Sequence, residues 1–497
     1  MNANLKKKIN YNLWNTFNFA SMLKNHIQNQ FSEEFSFELT DGQRQLTDKL
    51  ASFMSSGTGQ QAFLLRGYAG TGKTTMLNAF VRILEKYKIP VVLLAPTGRA
   101  AKVLRAYTGK SAYTIHKYIY RQKSNADGLG RFSLDKNQLR NCFFIVDEAS
   151  MISNQSFDGS VFGSGCLLDD LFEFVYSGQG CRLMFVGDTA QLPPVKTIVS
   201  PALDRHELEA YGLEVDEYEL TEVVRQQRDS GILYNATRIR ELIAGGSSPG
   251  SYFPIRLEGF SDIIRLPGAE LIERLGMCYD RYGEQQTMVI TRSNKRANRF
   301  NQGIRQTILY RDAEITVGDL LMVVKNNYFW LEESDQLDFV ANGDIVEITA
   351  VRGYEELYGF RFADVSLVFV DYENVEIDCK IMLDTLSVET ASLSLEDNRR
   401  FFQAVAEDYA AIRSKKKRWE KIRENTYFNA LQVKFAYAVT CHKAQGGQWN
   451  VVFIDQGYLI PDMLNEEYLR WLYTAFTRPV KELYLVNFNR EFFDEKD

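Results

Sequence analysis

The sequence predicts an α/β protein with a parallel sheet in each half of the chain, a β-hairpin inserted in the first half and a small β-barrel inserted in the second. Three observations lead to this prediction. A glycine-rich loop stands between a short apolar run and an amphipathic helix in the first half. Other short apolar runs alternate with helical stretches, as parallel strands covered on both faces do. Strand signals with turn residues interrupt the second half.

Length and composition are those of a globular protein with several domains. The 497 residues are too many for one core, and the apolar share of 45% and charged share of 25% are ordinary. Six scattered cysteines without a Cys-x-x-Cys pair argue against a disulfide framework or a zinc site. No signal peptide or membrane-spanning run is present, so we expect a soluble cytoplasmic protein. Because the net charge is −6, any nucleic-acid contact must use a local basic groove.

The glycine-rich loop, residues 67–74, fits the P-loop pattern of Gly, four residues and Gly-Lys-Thr. Apolar residues 62–65 predict a strand before it, and apolar positions 77, 80, 81 and 84 predict a helix after it. We expect Lys73 to reach the β- and γ-phosphates of a nucleotide and the Thr74 hydroxyl to bind Mg²⁺. The predicted nucleotide-binding residues of the loop are Gly67, Gly70, Thr71, Gly72, Lys73, Thr74 and Thr75.

The next predicted strands of the first half end in residues suited to nucleotide hydrolysis. One strand delivers Asp147 and Glu148 at its C-terminal end, where carboxylates face the ligand crevice of a parallel sheet. We expect Asp147 to hold the Mg²⁺ shell and Glu148 to polarise the attacking water. Gln191, after a later strand, is a candidate γ-phosphate sensor, and Arg225 is a candidate arginine finger. Without the P-loop, both would be interpreted as ordinary surface residues.

Residues 97–126 contain no acidic side chain but hold seven basic residues and four tyrosines, Tyr107 among them. A solvated helix face is the alternative, but the one-sided charge favours a track for a phosphate backbone with aromatics for base stacking. His116 has no metal-ligand spacing, so we expect a nucleic-acid contact or a structural hydrogen bond there. Residues 118–134 predict a β-hairpin with a glycine-rich tip.

The second half has the same alternation of strands and helices but no second P-loop. Its predicted strands are residues 288–290, 451–454 and 483–486. Between them, the insertion predicts a small β-barrel followed by helices. The basic run 413–418 is either a solvated helix end or a nucleic-acid contact. Residues 438–447 bring hydroxyl, imidazole, ammonium and amide groups onto one loop, and residues 472–478 predict a helix that ends in Arg478.

Taken in order, these motifs resemble those of superfamily 1B DNA helicases, the RecD-like and Dda-like group. The resemblance covers about residues 38–490. Gln43 matches the Q motif, residues 67–74 motif I, 95–101 motif Ia, 114–116 motif Ib, 147–148 motif II, 187–194 motif III, 225–226 motif IV, 439–446 motif V and 473–478 motif VI.

The resemblance implies two RecA-like P-loop domains with ATP and Mg²⁺ in the cleft between them. The implied domains are 37–225, the first domain with a pin hairpin at about 118–141; 226–311 and 431–497, the second domain; and 312–430, an accessory domain of a small β-barrel plus helices. Ahead of them, we expect residues 1–36 to form a helical extension. Arg225 and Arg478 are the implied arginine fingers. Gln43, whose amide suits an adenine edge, joins Gln445 and Gly446 as further nucleotide contacts.

The implied activity is ATP-driven translocation of a monomer along single-stranded DNA, 5′ to 3′, with unwinding at single-strand/duplex junctions. The implied DNA contacts are Pro96, Thr97, Arg99, Thr114, His116, Thr440, His442 and Lys443. A translocase that strips proteins without separating duplexes shares every motif and stays an alternative. Glu148 and the candidate fingers disfavour a slow ATP-switched binding module, and the second α/β half disfavours a small-molecule kinase. RNA also stays an alternative, because backbone contacts carry little information on the 2′-hydroxyl.

Overall fold

The computed structural model describes residues 24–56, 60–122, 132–154, 163–194, 197, 199–222, 230–246, 252–331, 339–372 and 375–493. Within these ranges the chain forms two parallel sheets, a closed barrel and a two-stranded hairpin. The predicted α/β fold with two RecA-like domains and two insertions is therefore confirmed. Arg225, the hairpin tip and residues 1–23 lie outside the described residues. No helix of the described ranges is long and apolar enough to cross a membrane.

The first half folds around a six-stranded parallel sheet of order β3-β2-β6-β7-β1-β8. The strand before the P-loop, β1, lies inside this sheet between β7 and β8. Its apolar side chains are buried because helices cover the sheet, as the continuous apolar runs predict. The strands of the first half are β1 (Gln61–Gly67), β2 (Val91–Ala95), β3 (Ala112–Thr114), β4 (Tyr120–Gln122), β5 (Phe132–Leu134), β6 (Phe143–Val146), β7 (Arg182–Gly187) and β8 (Glu214–Leu220).

The helices of the first half bury the faces that their apolar spacing predicts. They are α1 (described from 24 to 34), α2 (Asp41–Ser55), α3 (Lys73–Lys86), α4 (Gly98–Thr108), α5 (Ile115–Ile119), α6 (Leu167–Ser177) and α7 (Arg205–Ala210). On α3, apolar positions 77, 80, 81 and 84 are all buried. Phe31 of α1 stacks on Phe80 of α3 with 6.3 Å between ring centroids, so the end of the predicted N-terminal extension belongs to the first domain's core.

The second half contains a five-stranded parallel sheet of order β16-β10-β17-β18-β9 and a closed barrel of β11 to β15. Its strands are β9 (Ile263–Leu266), β10 (Thr287–Thr291), β11 (Leu320–Val323), β12 (Ile345–Leu357), β13 (Phe360–Phe369), β14 (Glu376–Met382), β15 (Leu431–Phe435), β16 (Ala438–Thr440), β17 (Trp449–Asp455) and β18 (Pro479–Val486). Its helices are α8 (Gly231–Ala244), α9 (Leu271–Tyr282), α10 (Asn294–Gly303), α11 (Leu395–Asp408), α12 (Lys415–Glu424), α13 (Cys441–Ala444) and α14 (Glu466–Phe476).

The barrel is closed by β15, which pairs antiparallel with β11 and parallel with β14. The sequence prediction assigned residues from 431 onward to the second RecA-like domain, so that boundary is wrong by one strand. The physical reason is that β15 supplies the hydrogen-bonding edge that the barrel lacks without it. Helices α11 and α12 pack outside the barrel through an aromatic cluster, in which Phe401 lies 5.1 Å from Phe360 of β13.

The pin hairpin begins two residues later than the sequence predicts, because Tyr118 and Ile119 belong to α5. Strands β4 and β5 pair antiparallel, with Tyr120 opposite Leu134. Phe132 of β5 contacts Tyr328, which lies between β11 and β12, at 4.4 Å between ring centroids. The base of the hairpin therefore rests on the accessory domain.

Candidate nucleotide and nucleic-acid sites

The P-loop forms a cradle that fits phosphate groups. Gly70 and Gly72 adopt left-handed backbone conformations with φ of 76° and 87°. A Cβ on Gly67 would lie 3.0 Å from Leu220 Cβ, so a side chain there would force β8 away from the loop. Gly72 is the N-cap of the 14-residue helix α3, and no side chain of the described residues caps this end. The first N–H groups of the helix therefore face the loop. Lys73 Nζ donates to Tyr68 O at 2.8 Å and so lies across this cradle.

Two carboxylates follow β6 at the edge of the cradle. Asp147 accepts the Glu148 N–H on Oδ1 at 2.9 Å and the Tyr107 hydroxyl on Oδ2. Glu148 has a φ of 52°, a left-handed conformation that costs energy for a residue with a side chain. Burial raises the pKa of both carboxyl groups; Arg478 most strongly opposes this rise at Glu148, and Lys73 opposes it at both. The structure thus brings Lys73, Asp147, Glu148 and Arg478 near one another at the cleft.

Helix α14 of the second domain reaches across the cleft to the P-loop. Tyr473 is buried, and its hydroxyl accepts the Ala69 N–H at 3.0 Å. The same hydroxyl donates to Asp188 Oδ2 at 2.6 Å. One tyrosine therefore joins the P-loop and the segment after β7 to the second domain.

Residues 187–194 are also held by two other side chains of the second domain. Thr474 Oγ1 accepts the Leu192 N–H at 2.8 Å, and Gln445 Nε2 donates to Leu192 O at 2.7 Å. The amide of Gln445, a predicted nucleotide contact, thus donates an interdomain hydrogen bond. Gln191 is buried, and its Oε1 has no hydrogen-bond partner among the described residues. A buried orphan acceptor at this position leaves Gln191 available to a ligand or a water molecule.

Arg478 is fixed within its own domain and directed towards Glu148. Its Nη1 donates to Gly447 O at 3.2 Å and its Nε to Thr474 O at 3.1 Å. Its Nη2 donates to Thr477 Oγ1 at 2.7 Å. All three nitrogens of the guanidinium are therefore anchored to groups of its own domain.

Gln43 connects the start of α2 to the P-loop. Thr40 caps α2, and Gln43 Oε1 accepts the Thr40 N–H at 3.1 Å, which completes a capping box. Gln43 Nε2 donates to Thr71 O at 3.3 Å. An adenine contact, as the sequence predicts, would have to use the remaining lone pair or the second amide hydrogen.

The site fits Mg²⁺ only together with a nucleotide. The Thr74 and Thr75 side chains are exposed beside the cradle, and Asp147 follows the neighbouring strand β6. Among the described residues, no group of three or more His, Cys, Asp or Glu side chains is placed to hold a metal ion. Mg²⁺ commonly takes one or two protein ligands and completes its shell with phosphate oxygens and water.

The first half of the predicted DNA track lies where the two domains meet. Thr97 accepts the Ala100 N–H at 3.2 Å and caps α4, directly after Pro96. Arg99 stacks over Trp449 of the second domain at 4.1 Å, and burial lowers its pKa. Gly446, with a φ of 74°, packs against Thr97. These contacts tie Thr97 and Arg99 to the second domain.

Farther along the track, Thr114 and His116 have structural partners. Thr114 accepts the Lys117 N–H at 3.1 Å and caps α5. Burial lowers the pKa of His116 to about 4, against the opposing charge of Asp170, so the imidazole is neutral at pH 7. A cleft of about 200 Å³ lies between this segment and the barrel; its charged and hydroxyl-bearing lining includes Lys102, Arg105, Tyr113, Thr114, Lys117, Asp371 and Tyr372.

The second half of the track contains an unpaired ammonium group. Thr440 precedes α13, and His442 in that helix is exposed. Lys443 Nζ is buried without a hydrogen-bond partner among the described residues. Burial lowers the pKa of Lys443 to about 8, and neighbouring Lys434 lowers it further. Lys434, a buried residue of β15, was not predicted, because only the barrel closure brings it near α13.

The fold and the cleft define a P-loop NTPase with two RecA-like domains. Comparison with known families agrees: residues 38–242 match an AAA domain, and residues 435–486 match the UvrD-like helicase C-terminal domain. These matches support the resemblance to superfamily 1B helicases.

Two curated relatives illustrate the similarity. The ATP-dependent RecD2 DNA helicase of Deinococcus radiodurans is 33% identical over 153 residues, 30% of this chain and 18% of that protein. The ATP-dependent DNA helicase dda of Enterobacteria phage T4 is 25% identical over 273 residues, 52% of this chain and 55% of the phage protein. The matched regions thus span less than two thirds of either relative.

A solved structure is similar over most of the chain. The crystal structure of Pif1 helicase from Bacteroides in complex with ADP-AlF3 and ssDNA is 14% identical, with a TM-score of 0.45, and the match covers 93% of this chain and 95% of that one. The fold assignment given above rests on the sheet topology of the chain itself.

Proposed function

We propose that this protein is an ATP-dependent DNA helicase that moves 5′ to 3′ on single-stranded DNA and opens duplexes at single-strand/duplex junctions as a monomer. The observation that carries this proposal is the cleft, where the P-loop and Glu148 of one RecA-like domain face Arg478 and Tyr473 of the other. An active site shared by two domains couples the state of the nucleotide to the distance between them.

In the proposed mechanism, Lys73 exchanges the Tyr68 carbonyl for phosphate oxygens when ATP binds. Glu148 orients and polarises the attacking water, and Arg478 stabilises the charge that develops on the transferred phosphoryl group. Bound Mg²⁺ supplies charge neutralisation at the phosphate oxygens, and Thr74 and Asp147 are the side chains that would hold it. Arg225 is proposed as a second arginine finger beside Arg478.

The same residues give the motor its cycle. ATP binding adds contacts on both sides of the cleft and favours closure, and loss of the γ-phosphate contacts of Gln191 and Arg478 favours reopening. The two halves of the DNA track, Thr97 and Arg99 on one domain and Thr440 and Lys443 on the other, move relative to each other in this cycle. Alternating grip by the two halves would convert each turnover into a step.

The test is unwinding of one short duplex carrying either a 5′ or a 3′ single-stranded tail, with ATP and Mg²⁺. We expect only the 5′-tailed duplex to open, and neither duplex to open with the Lys73→Ala variant. Opening of only the 3′-tailed duplex would keep the helicase and reject the direction. ATP turnover stimulated by single strands with no opening of either duplex would instead indicate the translocase.

A further inference from the structure

Tyr107 connects the predicted DNA track to the predicted metal site. It lies in the last turn of α4, in the acid-free segment 97–126, where the sequence favours base stacking. In the structure its ring packs against the apolar core between α3 and the sheet, and its hydroxyl donates to Asp147 Oδ2. The side chain is thus directed away from the track and towards the nucleotide cleft.

Helix α4 forms a continuous rod between the two sites. It has 11 residues, which gives a length of about 16 Å at 1.5 Å per residue. Its first turn is fixed by the Thr97 cap, and its last by Gly109, whose left-handed backbone donates to Arg105 O at 2.9 Å. Because both ends are capped and no break interrupts the helix, Thr97, Arg99 and Tyr107 belong to one continuous element.

At the C-terminal end of α4, Tyr107 contacts Asp147, the carboxylate that we assign to Mg²⁺. Both oxygens of Asp147 accept a hydrogen bond, Oδ1 from the Glu148 backbone and Oδ2 from Tyr107. The Glu148 contact belongs to the next residue and moves with Asp147. Tyr107 is therefore the donor by which another element of the domain orients this carboxylate.

We propose that Tyr107 is a positioning residue that couples occupancy of the DNA track to the geometry of the Mg²⁺–nucleotide site, a proposal that rests on the proposed function. DNA bound at the start of α4 shifts the helix, and the Tyr107 hydroxyl shifts Asp147 with it. By linkage, Mg²⁺–nucleotide then changes DNA affinity by the same factor as DNA changes nucleotide affinity.

The test compares Tyr107→Phe with the full-length parent chain and with Tyr87→Phe. The Phe variant keeps the ring and removes only the donor. Tyr87 is a matched control, since its buried hydroxyl has no hydrogen-bond partner among the described residues. Two binding readouts are used: the Mg²⁺ concentration that half-saturates binding of a fluorescent ATP analogue, and single-strand affinity with and without a non-hydrolysable ATP analogue plus Mg²⁺.

For Tyr107→Phe we expect the half-saturating Mg²⁺ concentration to rise about 10-fold or more, as for other residues that orient metal ligands. The effect of nucleotide on DNA affinity should fall towards none, while DNA affinity without nucleotide stays near that of Tyr87→Phe. An unchanged Mg²⁺ curve and unchanged coupling would overturn the proposal. So would loss of DNA affinity without nucleotide, which would assign the hydroxyl to a direct contact with the strand. If the parent chain itself fails to bind Mg²⁺–nucleotide, the proposed function fails first.

Discussion

Removal of the Tyr473 hydroxyl should loosen the cleft by an amount that the structure allows us to estimate. Tyr473→Phe keeps the buried ring but deletes the hydrogen bond from the Ala69 N–H and the one to the Asp188 carboxylate. A neutral hydrogen bond contributes about 0.5–1.5 kcal/mol and one to a charged group about 1.5–3 kcal/mol, so the closed interface loses about 2–4.5 kcal/mol. At about 1.4 kcal/mol per factor of ten, the open population rises roughly 30- to 1,600-fold.

The Leu192 amide is the reporter for this opening. Its N–H donates across the cleft to Thr474 Oγ1, a contact that the Tyr473 variant leaves in place. Hydrogen exchange at Leu192 should therefore accelerate in proportion to the open population. Exchange at Leu192 is easily isolated in a peptide fragment that ends at the two following prolines, because proline has no N–H group that could exchange.

Tyr484→Phe is the matched control for this experiment. Tyr484 also donates to a carboxylate, Glu482 Oε2 at 2.8 Å, but both residues lie on β18 within the second domain. We expect Leu192 exchange in this control to equal that of the parent chain. Exchange in Tyr473→Phe within about threefold of the control, well below the interval derived from its two hydrogen bonds, would refute the reasoning.

Three further predictions concern hydrolysis and DNA affinity. Lys73→Ala should abolish phosphate release while single-strand affinity in anisotropy titrations stays close to that of the parent chain, because Lys73 lies in the P-loop and not on the track. Arg478→Ala should cut turnover by about 10³-fold or more, as loss of other arginine fingers does. Lys443→Ala should weaken single-strand binding and reduce the slope of log affinity against log salt by about 0.7, the value for one phosphate contact on a single strand. Since the pKa of Lys443 is about 8, affinity of the parent chain should also fall between pH 7 and 9, as the ammonium loses its proton.

Each of these predictions has its own control. Normal turnover in Lys73→Ala would refute the P-loop assignment, and near-normal turnover in Arg478→Ala would leave Arg478 a structural tether. Lys443→Arg keeps its charge over the tested range, so its affinity should be flat from pH 7 to 9. An equal decline in Lys443→Arg would assign the titration to another group.

Local patterns predicted the parts of the fold that depend on neighbouring residues in the sequence. Strands such as β2 and β17 are covered on both faces, so they appear as continuous apolar runs. Edge strand β9, Ile-Ile-Arg-Leu, is only four residues long, and its two middle residues are partly exposed. It therefore produced no such run and was missed. The assignment of β15 failed for a different reason, because its partners β11 and β14 lie some 50 to 115 residues earlier in the chain.

The sequence likewise predicts only those parts of the candidate site that depend on neighbouring residues in the chain. The P-loop and the Asp147–Glu148 pair could be predicted, since loop, strand and helix are consecutive in the chain. The roles of Tyr107 and Tyr473 could not, because a hydroxyl's partner is set by packing between distant segments. The motif predicts that Thr97 and Arg99 contact DNA. In the structure Thr97 also caps α4, and Arg99 also stacks on Trp449 of the second domain.

The junction between β15 and β16 has a mechanical consequence. Only Ala436 and Tyr437 separate the last barrel strand from the second sheet, and Tyr437 is buried with its hydroxyl donating to Asp319 Oδ1 at 3.0 Å. This is one of the two connections between the inserted barrel and the second RecA-like domain; the other precedes β11. In the proposed helicase, a load that a blocked junction applies to the barrel would reach the loop carrying Thr440 and Lys443 through this short connection. Force that opposes the barrel should then slow stepping at the grip on the strand before it affects the chemistry in the cleft.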